Sequence, residues 1–353
     1  MQPSSSNKTA RILTLNGGGL RGIISAKYLS MIEEVTGKRI YEMFNLISGT
    51  STGGIIAAGL QKYTAQELVN LYLNEGSEMF VERCWLCNPL NLFNSKYKSG
   101  PLKSKLKSKF WNNNTQHDMT LKDITEYDLL IPYMDITNNE LRFFKSHRAK
   151  LVEEENYPIW EVLRSTTSAP TYFNPHTLNY KGNRGDINYK ISSDISSRSQ
   201  FSPQIIKAID GGVFANDPSM FALTEACELY PNADEIYILN IGTGTCNMEY
   251  NPKSLISWAT AIPDIMINNT MKTSRHTIKE LGHIYNKKVM YSHLNLNILP
   301  EHAKMDDIDS MHKLFNMNTY SDIDLVIENL RRPKTSNLEI QPNGFEETLF
   351  EEI

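Results

Sequence analysis

Long apolar runs are missing from this chain of 353 residues. No stretch of about 18 or more apolar residues occurs, which excludes a hydrophobic membrane-spanning helix. An excess of positive charge is missing too: 36 Lys and Arg stand against 40 Asp and Glu, for a net charge of −4. No global basic field therefore points to a nucleic-acid polymer. Cysteine is scarce, with four residues: Cys84, Cys87, Cys227 and Cys246. Cys84 and Cys87 have metal or redox spacing, but the other two form no second Cys-x-x-Cys pair. The set reads as reduced, mostly buried thiols. The first ten residues are polar and lack an apolar centre, so no secretory leader is expected. With 40% hydrophobic and 22% charged residues, the chain reads as a folded cytoplasmic protein. Any membrane contact would be peripheral.

What is present is an alternation of strand-like and helix-like segments, which predicts an α/β fold with a central, mostly parallel sheet flanked by helices. Strands are predicted at 11–15, 43–48, 129–134, 141–144, 205–209 and 236–241, with a further one at 293–298. Helices are predicted over 20–34 and 160–165, and from Thr64, where Thr64-Ala65-Gln66-Glu67 forms a capping-box pattern. Residues 82–100 look irregular. Leu102, Leu106 and Phe110 follow at spacings of four, interleaved with Lys103, Lys105, Lys107 and Lys109. That basic amphipathic segment reads either as a surface helix or as a membrane-facing element. The organisation expected is a flexible tail over 1–10, one domain over 11–332 and a polar acidic tail over 333–353. Within the domain, 181–202 is a polar insertion loop, and the last third is largely helical.

The chemistry concentrates in Gly49-Thr50-Ser51-Thr52-Gly53. A serine between glycines, after a strand and before a helix, is the pattern of a nucleophile elbow. Such a turn presents Ser51 at the positive end of the following helix. Acyl hydrolysis also needs donors for an oxyanion and a base. The loop Asn16-Gly17-Gly18-Gly19-Leu20-Arg21-Gly22 follows the first strand and can aim successive N–H groups into one cavity. The same loop fits a dinucleotide-binding glycine pattern, but no acid ends the second strand where that reading needs one. The base is open. His276, His283, His293, His302 and His312 all lie downstream, in the order a Ser–acid–His triad allows. Asp210 is the better candidate, because Ile209-Asp210-Gly211-Gly212 ends an apolar strand at a glycine turn.

Taken in order, the glycine loop, the Ser51 elbow and Asp210-Gly211-Gly212 resemble the patatin-like phospholipases. Thr166-Thr167-Ser168-Ala169-Pro170-Thr171-Tyr172-Phe173 and Ile238-Leu239-Asn240-Ile241-Gly242-Thr243-Gly244 match as well, and similarity extends weakly to Met305-Asp306-Asp307. The resemblance implies a three-layer fold and a lipid acyl hydrolase of phospholipase A type. Its nucleophile would be Ser51, its base Asp210 and its oxyanion hole Gly17, Gly18 and Gly19, with no metal or cofactor. Arg21 would orient a head group or brace the loop. The implied partner is membrane phospholipid. Some bacterial members of the family are switched on by cyclic nucleotides, which adds a small-nucleotide activator to the readings. One departure stands out: the family's loop usually begins with Asp, and here Asn16 occupies that place.

Overall fold

The computed structural model describes residues 8–83, 94–180, 204–246, 252–317 and 323–331. In chain order the first elements are β1 (Thr9–Leu15), α1 (Gly22–Thr36), α2 (Ile40–Met43), β2 (Leu46–Gly49), α3 (Thr52–Gly59), α4 (Ala65–Met79) and α5 (Ser99–Lys109). A short ribbon of β3 (Trp111–Asn112) and β4 (His117–Asp118) leads to β5 (Asp128–Asp135), β6 (Glu140–Lys145), α6 (Ser146–Leu151) and α7 (Ile159–Thr166). Then come β7 (His176–Tyr180), β8 (Gln204–Asp210), α8 (Gly212–Ala215), α9 (Ser219–Leu229) and β9 (Glu235–Ile241). The last are α10 (Leu255–Ile284), β10 (Lys288–Leu294), α11 (Ile308–Asn316) and α12 (Ile323–Arg331).

Eight strands form one sheet in the order β10-β9-β1-β2-β5-β8-β7, with β6 also on β5. The run from β10 to β5 is parallel, while β6, β8 and β7 join it antiparallel. Side chains alternate across the sheet, as the period of two demands. Leu13 and Leu15 of β1 face one core with α1, α3 and α4, whereas Ala10 and Ile12 face a second core with α9. Strands β1 and β9 are buried on both faces, which is why they read as near-continuous apolar runs. The result is the three-layer α/β architecture expected.

Register explains where the site forms. Ser48 of β2 pairs with Leu130 of β5, and just beyond the end of β2 Ser51 is linked through Thr166 Oγ1 to Pro132 O, next to Tyr133. Tyr133 pairs with Asp210, because β8 runs antiparallel to β5. Two segments far apart in sequence thus deliver their ends to one spot.

Several boundaries differ from expectation. Residues 43–45 are not strand: Arg39 N–H donates to the Glu42 carboxylate at 2.6 Å, which starts α2, and β2 begins only at Leu46. The last strand spans Lys288–Leu294 rather than 293–298, because Asn295 leaves the sheet to accept the Gly244 N–H at 2.7 Å. β1 starts at Thr9, inside the segment expected to be a tail. The basic segment is a surface helix, α5, with Leu102 and Leu106 buried and Lys105 and Lys109 paired with Glu75 of α4. The insertion at 181–202, the tail at 333–353, Cys84 and Cys87 lie outside the described residues; Cys227 and Cys246 are free thiols. Among the described residues, no helix is long and apolar enough to cross a membrane.

Candidate active site

Ser51 sits between β2 and α3 with φ 54° and ψ −119°. A non-glycine residue in that region is strained, by about 1–3 kcal/mol. The turn closes because its flanks lack side chains. A Cβ on Gly49 would lie 2.2 Å from the Gly53 carbonyl oxygen, and one on Gly53 would lie 2.2 Å from that of Leu15. Thr166 holds the strained residue in place: the Ser51 N–H donates to Thr166 Oγ1 at 3.0 Å, and that hydroxyl donates to Pro132 O at 2.8 Å. Thr50 anchors the turn on its other side, with its N–H on Leu15 O and its hydroxyl on Ala215 O.

Asp210 ends β8 and is only 5% exposed. Its carboxyl borders the same cavity as Ser51. It also accepts the Gly212 N–H at 2.7 Å, and its own N–H is held by Ser168 O. Burial pushes the carboxyl up to about 6, against the opposing pull of Ser51 and of the Gly212 hydrogen bond. Desolvation disfavours the carboxylate, so its proton affinity rises toward the range useful for a general base.

The glycine loop contributes its amides unequally. Gly17 N–H donates to Asn216 O at 3.2 Å and is therefore engaged. The Gly17 carbonyl accepts from Thr243 Oγ1 at 2.8 Å, and the Gly18 carbonyl accepts the Arg21 N–H at 3.1 Å. In a trans peptide the N–H points opposite to the C=O. Fixing these two carbonyls thus turns the Gly18 and Gly19 N–H groups the other way, and among the described residues neither donates to a protein acceptor. Gly19 has φ +58°, and a Cβ there would lie 2.3 Å from Met305 O, so only glycine suits the position.

These groups border one cavity of about 220 Å³. Ser51, Asp210, Gly18 and Gly19 line it together with Ile55, Met79, Phe80, Leu102, Tyr172 and Phe173, which supply much of its apolar surface. Among the described residues, no histidine lines it. His293 instead pairs with Asn240 and Arg275, and burial together with Arg275 lowers it to about 4. His302 is buried against Ser310, while His276, His283 and His312 are exposed.

A model of the patatin-like phospholipase family matches residues 13–223, well over half the chain. The chain belongs to this family. Among its relatives is a cGAMP-activated phospholipase from Vibrio cholerae, 30% identical over 263 residues, 69% of this chain and 67% of that protein. One of the same description from Escherichia coli is 29% identical, covering 66% of this chain and 62% of the relative. Patatin-like protein 1 of Arabidopsis thaliana is 28% identical over 78% of this chain and 71% of its own length. The chain thus spans somewhat under two thirds of the Escherichia coli relative.

Within this patatin-like frame, Asn16 is fully buried. Its Oδ1 accepts from Asn240 Nδ2 at 2.7 Å, and the same amide donates to Asp217 Oδ1 at 3.1 Å. A neutral residue fits there because a buried carboxylate already stands on the far side of Asn240. Arg21 is not among the described residues lining the cavity, and its backbone N–H closes the turn onto Gly18 O. Asn216, Thr243 and Met305 escaped the sequence reading as site residues. Nothing in their local patterns signals that they orient peptides of a loop 199, 226 and 285 residues away.

Proposed function

We propose that this chain is a lipid acyl hydrolase that cleaves fatty-acyl esters of membrane glycerophospholipids through an acyl-enzyme on Ser51. The observation that carries the reading is that Ser51 and the buried Asp210 carboxyl line one largely apolar cavity together. Ser51 Oγ attacks the ester carbonyl while Asp210 takes its proton. The carbonyl oxygen becomes an anion beside the Gly18 and Gly19 N–H groups, and each such donor is worth on the order of 10²–10³ in rate. The tetrahedral intermediate collapses, and Asp210 returns the proton to the departing alkoxide. A water then repeats the sequence: Asp210 accepts its proton, the acyl–Ser51 bond breaks, and Ser51 recovers a proton as the fatty acid leaves. The apolar wall suits an acyl chain, and it supports peripheral docking on a bilayer as the route by which lipid enters.

The test is release of fatty acid from phosphatidylcholine or phosphatidylethanolamine vesicles, together with labelling by a fluorophosphonate probe. Wild type should hydrolyse and label, and Ser51→Ala should do neither while keeping its melting temperature within a few degrees. An Asp210→Asn chain with full activity, or a His293→Ala chain with none, would replace the dyad with a histidine-dependent scheme.

A second reading is favoured by the cGAMP-activated relatives. In it the hydrolase is an effector with a nucleotide-controlled equilibrium between states. Adding cGAMP to the vesicle assay should then raise the rate by roughly tenfold or more, within the usual span of allosteric coupling. An unchanged rate at saturating nucleotide removes this reading and leaves the first intact.

A further inference from the structure

A segment far beyond the 13–223 match closes over the oxyanion loop. Met305 O accepts the N–H of the buried Leu20 at 2.7 Å, and the Met305 side chain lines the cavity. The next residue, Asp306, reaches the other side. Its Oδ2 accepts from Lys96 Nζ at 2.6 Å and from Tyr97 OH at 2.7 Å. The stretch that carries Lys96 and Tyr97 holds the acyl wall: Lys96 N–H donates to Thr171 O and Tyr97 N–H to Tyr172 O. The Tyr97 ring stacks on Tyr172 and packs at a tilt against Phe173. Thr171 has φ 70°, a strained backbone that those hydrogen bonds keep in place.

The segment is anchored at both ends of α11. Asp307 caps α11, accepting N–H groups from Asp309 and Ser310. The far end of α11 is tied to α1, where Lys27 Nζ donates to Phe315 O and Met317 O, each at 2.7 Å. Asp306 therefore hangs from a fixed helix start rather than from a free loop.

We propose that Asp306 is a positioning residue that ties the acyl wall to the oxyanion loop, through Lys96 and Tyr97 on one side and the neighbouring Met305 carbonyl on the other. The Met305 contact sets the Gly19–Leu20 peptide plane, which is joined through the Gly19 Cα to the Gly18–Gly19 peptide that carries the Gly19 N–H. Misplacement of such a group by about 1 Å costs on the order of 10²-fold in rate. The proposal rests on the reading of Ser51 and the glycine amides given above.

The experiment compares wild type, Asp306→Ala, Asp306→Asn and Tyr97→Phe. For each, kcat and KM are measured on phosphatidylcholine micelles, along with affinity for a non-hydrolysable ether phospholipid and for a trifluoromethyl ketone that adds to Ser51. Amide exchange of the peptide containing Gly17 to Leu20 is followed in parallel. Asp306→Ala should lower kcat by about 10- to 100-fold and weaken ketone binding in step, with KM and ether-lipid affinity within about twofold. Exchange should rise in the glycine-loop peptide and stay near wild type elsewhere. Asp306→Asn and Tyr97→Phe should fall between. Unchanged kcat, or kcat and ether-lipid affinity falling together with exchange rising throughout the chain, would overturn the role. Repeating the exchange measurement in a Ser51→Ala background separates the two claims. If hydrolysis proves independent of Ser51, the catalytic reading fails, and the exchange data still decide whether Asp306 orders the loop.

Discussion

Thr166 Oγ1 takes the amide hydrogen of Ser51 at 3.0 Å, tying the most strained functional residue of the fold to the end of α7. The bond couples the elbow to β5, because the same hydroxyl donates to Pro132 O.

Thr166→Val keeps the shape and removes the hydroxyl. It should cost about 1–3 kcal/mol of stability, by leaving buried backbone groups without partners. It should also lower kcat by about tenfold, by freeing the elbow. Thr166→Ser should stay near wild type in both. Chemical denaturation and steady-state hydrolysis read the two effects, and full kcat in Thr166→Val would mean that the elbow is set elsewhere.

Ser51→Gly should be as inactive as Ser51→Ala but more stable than it by about 1–3 kcal/mol, since glycine adopts φ 54° without strain. Equal stability of the two variants would show that the turn stores no strain at this position.

Asp210 predicts the pH profile. The base must be ionised, and burial puts its pKa at about 6. Hydrolysis should therefore rise about tenfold per pH unit below that value and level off above it. Stability moves the other way. The folded pKa lies above the unfolded value of 3.8, so the folded state holds the proton more tightly. That contribution is complete below pH 3.8 and is lost as pH rises through about 6. Asp210→Asn should thus be inactive yet stabilised at pH 8, by up to about 3 kcal/mol, with the gain shrinking at pH 5. Thermal melts at the two pH values measure this, and a variant destabilised equally at both would contradict it.

Asn16→Asp should be destabilising here despite restoring the residue usual in the family. It would bury a second carboxylate across Asn240 from Asp217, whose own pKa is raised by burial. The cost at pH 8 should be on the order of 2–4 kcal/mol, smaller at pH 5 where the new group can protonate. A variant as stable as wild type at pH 8 would show that this polar cluster accommodates the charge.

The parts of the site legible in the sequence are those whose cause is local. Gly49, Gly53 and Gly19 are needed because a Cβ would meet backbone at 2.2–2.3 Å, and such sterics mark a turn wherever it occurs. The Thr64–Glu67 cap is equally local and forms as read. The meeting of Asp210 with Ser51 depends instead on β8 running antiparallel to β5 in one register, which no pattern within Ile205–Asp210 encodes. The Gly17 amide was expected among the oxyanion donors, yet Asn216 O occupies it. The apolar run at 43–48 hid a helix end, because Met43 is buried in either state and only the Arg39–Glu42 bond decides between them.

The apolar cavity also bears on turnover. In the proposed hydrolysis the released fatty acid is itself an acid, and its head would lie beside Asp210 in surroundings that solvate charge poorly. Once both carboxyls ionise, they repel each other with little water between them. The burial that raises the Asp210 pKa would thus also push the product's head away from Ser51. Product inhibition should then ease as pH climbs above the titration of Asp210, and the exit of the fatty acid becomes an electrostatic step built into the same pocket that holds its tail.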